Sequence, residues 1–422
     1  MAVSDPVRLS LYVHVPFCAS KCRYCDFFSV PVGSGAGVEG LASRVVEQTI
    51  AQLDRFLGRA PAVRFETVYV GGGTPSVLPR ELLFRLFRRL RDLDPAEWTV
   101  EANPESLDRS LLETCARAGV TRLSVGIQSM DDRHLACLGR PGTTVDNLAA
   151  LELIAGSWRG ETSLDLIAGA PGQTREGIIA DIAAVVRAGC GHASLYSLTV
   201  EPGTPLAGLV DSGSVALNPR DHDDELWLEG RAALEAGGLR QYEVSNFARP
   251  GKECRHNLRY WRLEPYLGIG PGAVSTLPPA LAAALTGVRE DAAVIRLSNP
   301  RDLTRFLSAA HGPAGVPWGI EKEAVPASSF VLETLMMGMR LVDGISTASF
   351  RHRFGCRLGD LAPGLWKRWV GQGFARPERG SLRLTGRGLL VLDSLLGELA
   401  ATLSAARLPP IAVSWPDRAQ EY

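Results

Sequence analysis

With 422 residues, 45% apolar and 22% charged, the chain has the length for two domains, one large and one small, and the composition of a globular rather than a disordered protein. Its 45 Lys and Arg nearly cancel 46 Asp and Glu, so no global field draws it to nucleic acid or to an acidic membrane. The opening MAVSDPVRLSLYVHV has neither a continuous apolar stretch nor a small-residue cleavage site, and no run of 18 uncharged apolar residues follows, which predicts a cytoplasmic protein without a spanning helix.

In chain order, the first β-type run is Leu9 to Val15. It leads into PFCASKCRYCDFF, which places Cys18, Cys22 and Cys25 within eight residues. In a reducing compartment such cysteines are thiols or metal ligands rather than disulfides, while the scattered Cys115, Cys137, Cys190, Cys254 and Cys356 read as buried inert thiols. Three thiols on one loop can surround a single inorganic cluster, with Pro16 fixing how the chain enters it. No fourth cysteine stands nearby, so a [4Fe-4S] cluster held here leaves one iron open, where S-adenosylmethionine can bind through its amino and carboxylate groups. Electron transfer from the reduced cluster would split the sulfonium C–S bond into methionine and a 5′-deoxyadenosyl radical. A zinc ion completed by His14, or three unconnected thiols, are the competing readings; structural zinc usually pairs two separated ligand couples.

Further β-type runs follow at Thr67 to Val70, Trp98 to Glu101, Arg122 to Ile127, Ser163 to Ile167 and Ala193 to Leu198. Helical segments lie between them, the pattern of parallel strands joined by crossover helices. Arg80 to Arg91 carries five arginines above Leu82, Leu83, Leu86, Phe87 and Leu90, an amphipathic helix with a solvated basic face rather than a binding patch. Leu107 to Ala118 is a helix stopped by Gly119. Glycines after Val70, then Glu101, Gln128 and Asp165, stand at or near strand ends, so in a parallel barrel they converge on one ligand. The competing reading is that each merely begins a loop.

After Leu198 the alternation weakens. QYEVSNFARPGKECRHNLRYW and YLGIGPGAVS follow, then Pro278 to Ala284 as a loop, and Asn299 opening a helix over PRDLTRFL. From about Val325 the run SSFVLETLMMGMRL begins a small helical domain with a two-strand element, and the tail from Arg407 is irregular. The divisions are 1–245, 246–324, 325–405 and 406–422.

The spacing Cys18-x3-Cys22-x2-Cys25, with Tyr24 before the last cysteine, resembles the signature of the radical S-adenosylmethionine superfamily, and GGGTPS at Gly71 to Ser76 resembles its glycine motif. The coproporphyrinogen III oxidase-like group is matched over roughly residues 8–400 by LYVHVPFCASKCRYCDF, VYVGGGTPS, VEANPESL, RLSVGIQSM, LGRPGTT, SLDLIAGAPGQT, LYSLTVEPGTPL and YEVSNFARPGKECRHNLRYW. The resemblance implies an α/β fold, a partial (β/α)6 TIM-like barrel with a small C-terminal helical, winged-helix-like domain. It also implies a [4Fe-4S] cluster on Cys18, Cys22 and Cys25, and S-adenosylmethionine contacts from Tyr12, Tyr24, Gly72, Gly73, Thr74, Glu101, Gln128, Arg140 and Asp165.

Two branches of the group differ in chemistry. The oxygen-independent coproporphyrinogen III dehydrogenase carries a further cysteine two residues after the third ligand and a longer N-terminal extension; here that position is Phe27, and 17 residues precede Cys18. The chain is therefore most similar to the HemW heme-chaperone branch, and oxidative decarboxylation of coproporphyrinogen III is the alternative activity. The resemblance implies a cytoplasmic or membrane-peripheral heme carrier without the dehydrogenase activity. Its partners would be heme, respiratory hemoprotein clients, an electron donor and a second copy of the chain, with no nucleic acid. The heme-linked block is His256 to Trp261: His256 as axial ligand, with Tyr260 and Trp261 against the porphyrin and Arg255 or Arg259 meeting propionates. The competing reading is a histidine bonded within an aromatic packing cluster. Val274 stands where relatives carry a histidine in GxGAHS, which leaves His256 as the better axial candidate. The C-terminal segment is not strongly basic, so covering the barrel mouth or contacting a client is expected of it rather than DNA binding.

Overall fold

A computed structural model describes residues 7–32, 36–60, 62–287, 289–308, 319–405 and 411–415. Six parallel strands hydrogen-bond in chain order: β1 (Val7–Val15), β2 (Val63–Gly72), β3 (Glu97–Ala102), β4 (Arg122–Gln128), β5 (Glu161–Ala168) and β6 (His192–Ser197). One side-chain set from each strand is apolar and buried: Leu9, Leu11 and Val13; Val68 and Val70; Trp98 and Val100; Leu123 and Val125; Leu164 and Leu166; Ala193 and Leu195. These pack beneath the crossover helices, among them Arg80–Arg91, Arg109–Ala118 and Arg175–Arg187, forming the main core. Because side chains alternate across a strand, the complementary set faces the lumen. That set is polar: Ser10, Tyr12, His14, Thr67, Tyr69, Glu97, Thr99, Glu101, Arg122, Ser124, Ser163, Asp165, His192, Ser194 and Tyr196. A barrel kept only for stability fills this space with branched apolar side chains; here polar and ionisable side chains take their place.

The sheet runs beyond the six strands. Tyr266–Ile269 lies parallel to β1 on its free edge, followed by antiparallel Val274–Leu277, Val294–Ser298 and Glu321–Val325. Asn246–Ala248 and Arg240–Gln241 extend the other edge, so twelve of the described strands form one open sheet curved into a partial barrel. The expected connecting region after residue 245 thus contributes strands to the same sheet.

A second core gathers Phe330, Leu335, Phe350, Phe354, Trp366, Trp369, Leu396 and Leu399 from the C-terminal helices, among them Ala327–Gly338, Thr347–Phe354, Pro363–Gly371 and Leu392–Ala405. The expected two-strand element has three strands, Ile345–Ser346, Ala375–Glu378 and Ser381–Leu384, in a winged-helix-like arrangement. This unit meets the barrel near residues 240–262. The Val342 amide donates to the Tyr242 carbonyl at 3.0 Å, Glu243 bridges Leu341, and the Arg340 guanidinium lies 5.9 Å from the Trp261 ring centroid.

Three expectations are corrected. Pro278 to Ala284 is not a loop: Pro279–Thr286 is helical, with proline in the first turn where its missing N–H costs nothing and Gly287 ending the helix at φ +77°. Asn299 opens no helix; it is buried, accepting from Gln52 Nε2 at 2.8 Å and donating to the Gly268 and Ala273 carbonyls, and the helix begins at Leu303. Of the five scattered cysteines, Cys115, Cys190 and Cys254 are buried, but Cys137 and Cys356 are partly exposed. Of the tail, 406–410 and 416–422 lie outside the described residues; within 411–415, Trp415 packs 5.3 Å from Phe330. No described helix is long and apolar enough to cross a membrane.

Candidate functional site

The cysteine loop leaves β1 and is clamped at its base and along its length. Phe17–Cys18 pairs with Val30–Pro31, and the Val30 and Val32 amides donate to the Pro16 and Cys18 carbonyls at 2.6 and 2.7 Å. Midway, the Arg23 amide donates to the Leu138 carbonyl and its own carbonyl accepts from Leu206 N. Cys18, Cys22 and Cys25 are all half-buried on this lobe. Burial pushes the Cys18 and Cys25 thiols up, against nearby hydrogen-bond donors. Thr74 Oγ1 donates to Cys18 Sγ and Arg140 Nη1 to Cys22 Sγ, each at 3.6 Å, while the Phe27 backbone reaches Cys25.

The glycine run after β2 lies against this lobe. Gly73 N donates to the Val15 carbonyl and Thr74 N to the Phe17 carbonyl at 2.7 and 2.6 Å. A Cβ on Gly73 would stand 2.5 Å from the Phe17 oxygen, and one on Gly71 2.6 Å from the Glu101 carboxylate. Gly72, at φ +107°, leaves room for the His14 ring. Glu101 is held from two sides, by Tyr69 OH at 2.7 Å and by Gly72 N at 3.1 Å, yet burial raises its carboxyl to about 7. Asp165 accepts from Ser194 and Ser124 at 2.7 and 3.2 Å and is likewise raised by burial. Gln128 sits in a bulge at φ +66°, which Asn147 secures by donating to the Ile127 and Ser129 carbonyls. Tyr12 lies 6.3 Å from Tyr69 and donates to His14 Nδ1 at 2.9 Å; burial raises the phenols of Tyr12 and Tyr24.

The strand-end groups therefore converge on the same end of the barrel as the cysteines. Tyr196 exposes 43% of its surface although burial still pushes its phenol well above the usual range, as for a side chain lining a concave space. The donor set suits thiolate ligation of a cluster: three half-buried sulfurs on one clamped loop, each met by a donor. The zinc alternative completed by His14 has no such fit, because His14 Nε2 donates to the Phe28 carbonyl at 2.8 Å and Nδ1 accepts from Tyr12. Among the described residues no three His, Cys, Asp or Glu are placed to share a single metal ion.

The block from His256 to Trp261 lies at the other end. Its helix, Arg255–Trp261, begins against Glu97, the first residue of β3, whose carboxylate accepts from the Arg255 and His256 amides at 3.0 and 2.9 Å and pairs with Arg122, the first residue of β4. His256 Nδ1 shares a hydrogen bond with Thr67 Oγ1 at 2.9 Å, and its ring lies 5.1 Å from Tyr69. Burial, then the Arg259 charge, lowers its pKa to about 3, so the ring is neutral. Tyr260 and Trp261 pack instead with Tyr266 and Arg340. The helix stoppers the barrel floor, and His256 lies below the Tyr69–Glu101 pair rather than beside the cysteines. Val274 opens the strand Val274–Leu277, its carbonyl 2.1 Å from where a Cβ on Gly268 would stand.

Residues that sequence reasoning passed over include Tyr69, Asn103, Asn147 and the Glu97–Arg122 pair. Asn103 Nδ2 donates to Thr74 Oγ1 at 3.1 Å. Only ANPES following a strand end could have signalled Asn103; the partners of the others are remote in sequence.

Comparison with known proteins places these features in a lineage. Residues 12–185 match the radical SAM superfamily model and residues 326–391 the HemN C-terminal domain. The chain is 36% identical to the heme chaperone HemW of Mycobacterium tuberculosis (strain CDC 1551 / Oshkosh), over 92% of this chain and 94% of that one. It is 31% identical to the heme chaperone HemW of Bacillus subtilis, over 92% and 100%. The Bos taurus radical S-adenosyl methionine domain-containing protein 1, mitochondrial, is 34% identical over 94% and 89%. Among solved structures, coproporphyrinogen III oxidase (HemN) from Escherichia coli superposes with a TM-score of 0.73 at 19% identity, covering 94% of this chain and 91% of that one.

Proposed function

The chain belongs to the radical SAM superfamily and, within it, to the HemW family, and from that membership we propose that it binds heme and delivers it to hemoproteins in the cytoplasm while carrying a [4Fe-4S] cluster with S-adenosylmethionine. The observation that carries the cluster half of this reading is the clamped loop presenting Cys18, Cys22 and Cys25 beside the glycine run. A cluster held by these cysteines would supply the single electron that reductive cleavage of a sulfonium ligand needs. Around it, Gly72, Gly73 and Thr74 offer backbone groups to the ligand's amino acid end. Tyr12, Tyr24, Gln128 and Arg140 wall the space, and Glu101 and Asp165 present fixed carboxylates to its amine and hydroxyls. The lumen's raised carboxyls favour a cationic or hydrogen-bond-donating ligand, which would bring them back to the charged form.

The heme half rests on the relatives named as heme chaperones. His256 is the ligand this chain offers: a neutral imidazole whose Nδ1 meets Thr67, and the tautomer in which Nδ1 donates to that hydroxyl leaves Nε2 for iron. Tyr260 and Trp261 lie on the outer side of the floor helix, so a porphyrin that stacks on them reaches Nε2 only as that helix shifts. A hemoprotein client and a one-electron donor complete the reading. Coproporphyrinogen III decarboxylation is less well supported, because the likeness to HemN at 19% identity carries the fold alone. Anaerobic heme titration of the reconstituted protein should give a saturable Soret change that His256→Ala weakens at least tenfold and Cys18→Ala leaves in place. Absence of saturable binding by the unaltered protein would sink the proposal.

A further inference from the structure

The three cluster sulfurs do not meet equal partners. Cys22 Sγ accepts from the Arg140 guanidinium and Cys18 Sγ from the Thr74 hydroxyl, with the Ser29 hydroxyl beside it, while Cys25 meets the Phe27 backbone and the charge of Lys21. Arg140 is 5% exposed, so its charge acts with little solvent screening, and Nη2 fixes its fork by donating to the Gly126 carbonyl at 3.0 Å. Glu105, 3.5 Å away, offsets that charge in part. Thr74 itself accepts from Asn103 Nδ2 at 3.1 Å, which leaves its hydroxyl proton to point at sulfur and polarises it further.

Resting on the assignment of the cluster to this loop, we infer that Arg140 and the Asn103–Thr74 pair poise the cluster's reduction potential, with Arg140 the stronger influence and Asn103 a positioning residue acting through Thr74. The physical ground is charge. Reduction of [4Fe-4S]2+ to [4Fe-4S]+ adds one electron that spreads over iron and the thiolate sulfurs. Donors aimed at those sulfurs stabilise the reduced state more than the oxidised one and raise the midpoint. Arg140 thereby has a task that precedes S-adenosylmethionine binding.

The test is an EPR-monitored titration with sodium dithionite as the electron donor, performed on the full chain without S-adenosylmethionine so that ligand affinity plays no part. Iron and sulfide content are measured on the same samples. Arg140→Met should lower the midpoint most, Thr74→Val less and Asn103→Ala least, while Arg140→Lys, which keeps the charge, should recover much of the loss. Midpoints that stay at the wild-type value in variants with full iron and sulfide overturn the inference. If Arg140→Met fails to hold a cluster, the neutral Arg140→Gln decides in its place: a midpoint in Arg140→Gln no lower than that in Thr74→Val overturns the larger role for Arg140. A wild-type chain that takes up no iron and sulfide defeats the cluster assignment itself, an outcome distinct from unchanged midpoints.

Discussion

Gly73 touches the cysteine lobe through backbone alone, and the atoms a side chain would strike there are themselves backbone: the Phe17 oxygen at 2.5 Å, the Phe17 nitrogen at 2.7 Å and the Val15 oxygen at 2.8 Å. No rotamer change can relieve such a clash. Gly73→Ala is expected to cost about 1–3 kcal/mol, seen as a lower melting temperature, and to reduce iron incorporation. Gly71→Ala meets the end of the Glu101 side chain instead and should be milder, so equal losses in the two variants would contradict this account. At this scale the sequence was informative where a residue type is rare for a reason, as with three close thiols or three successive glycines. It was silent where an ordinary polar residue acquires its task from a partner far along the chain. Asn103 finds Thr74, and Asn147 finds the bulge at Gln128, across separations no local pattern encodes. His14 was open to reading as a zinc ligand, and only its two occupied nitrogens removed that option.

Strands and helices were legible wherever alternation or amphipathicity ran long enough. The Leu107 to Ala118 segment forms the helix Arg109–Ala118, capped by Asp108 accepting from Leu111 N and ended by Gly119 at φ +94°. No atom crowds a Cβ at Gly119, so Gly119→Ala isolates the left-handed backbone cost, about 1 kcal/mol by chemical denaturation. The strands on the free edge of β1 were not legible. YLGI and VSTL are short and glycine-flanked, and EKEAV is a charged edge strand whose composition resembles a loop. The floor helix has a structural role that its motif does not signal, because its seating depends on Glu97, more than 150 residues earlier. Glu97 and Arg122 are both buried, so Glu97→Ala strands the arginine and uncaps the helix. A loss of about 3–5 kcal/mol is expected, with Trp261 fluorescence shifted towards that of an exposed indole. An unchanged emission spectrum would show that the helix holds its place without the cap.

Across the whole molecule, the barrel and the C-terminal unit meet where Glu243 is fully buried beside Tyr242, Ser245, Asn246 and Trp261. Burial raises its carboxyl from 4.5 to about 7, the same direction as Glu101. Between those values the folded chain holds a proton that the unfolded chain has released. The stability that these carboxyls contribute to the cluster-free protein should therefore fall as pH rises through that window and level off above it, against the opposite trend given by the buried imidazoles of His14, His192 and His256, whose pKa values burial lowers. Glu243→Gln removes the contribution of that one carboxyl. It should match the wild type near pH 5 and exceed it near pH 8, by of order 3 kcal/mol at most, in denaturant titrations at the two values. A variant less stable at pH 8 would show that the ionised carboxylate is favourable at the seam. Two hydrophobic cores hold the chain, and Val294, Val325 and Leu263 belong to the second of them while lying on or beside the barrel sheet.

The stoppered floor sets a rule of traffic. With Arg255–Trp261 seated against the first residues of β3 and β4, the floor end of the lumen is covered, and the opposite end is the mouth where the cysteines stand. On the proposed function, a large planar cargo laid across that mouth would have to follow the nucleoside ligand in and leave before it. Exchange of radiolabelled S-adenosylmethionine should accordingly slow when heme occupies the mouth. It should remain unaffected by heme if the cargo is held at the floor, so one exchange rate reports which end of the lumen the cargo uses.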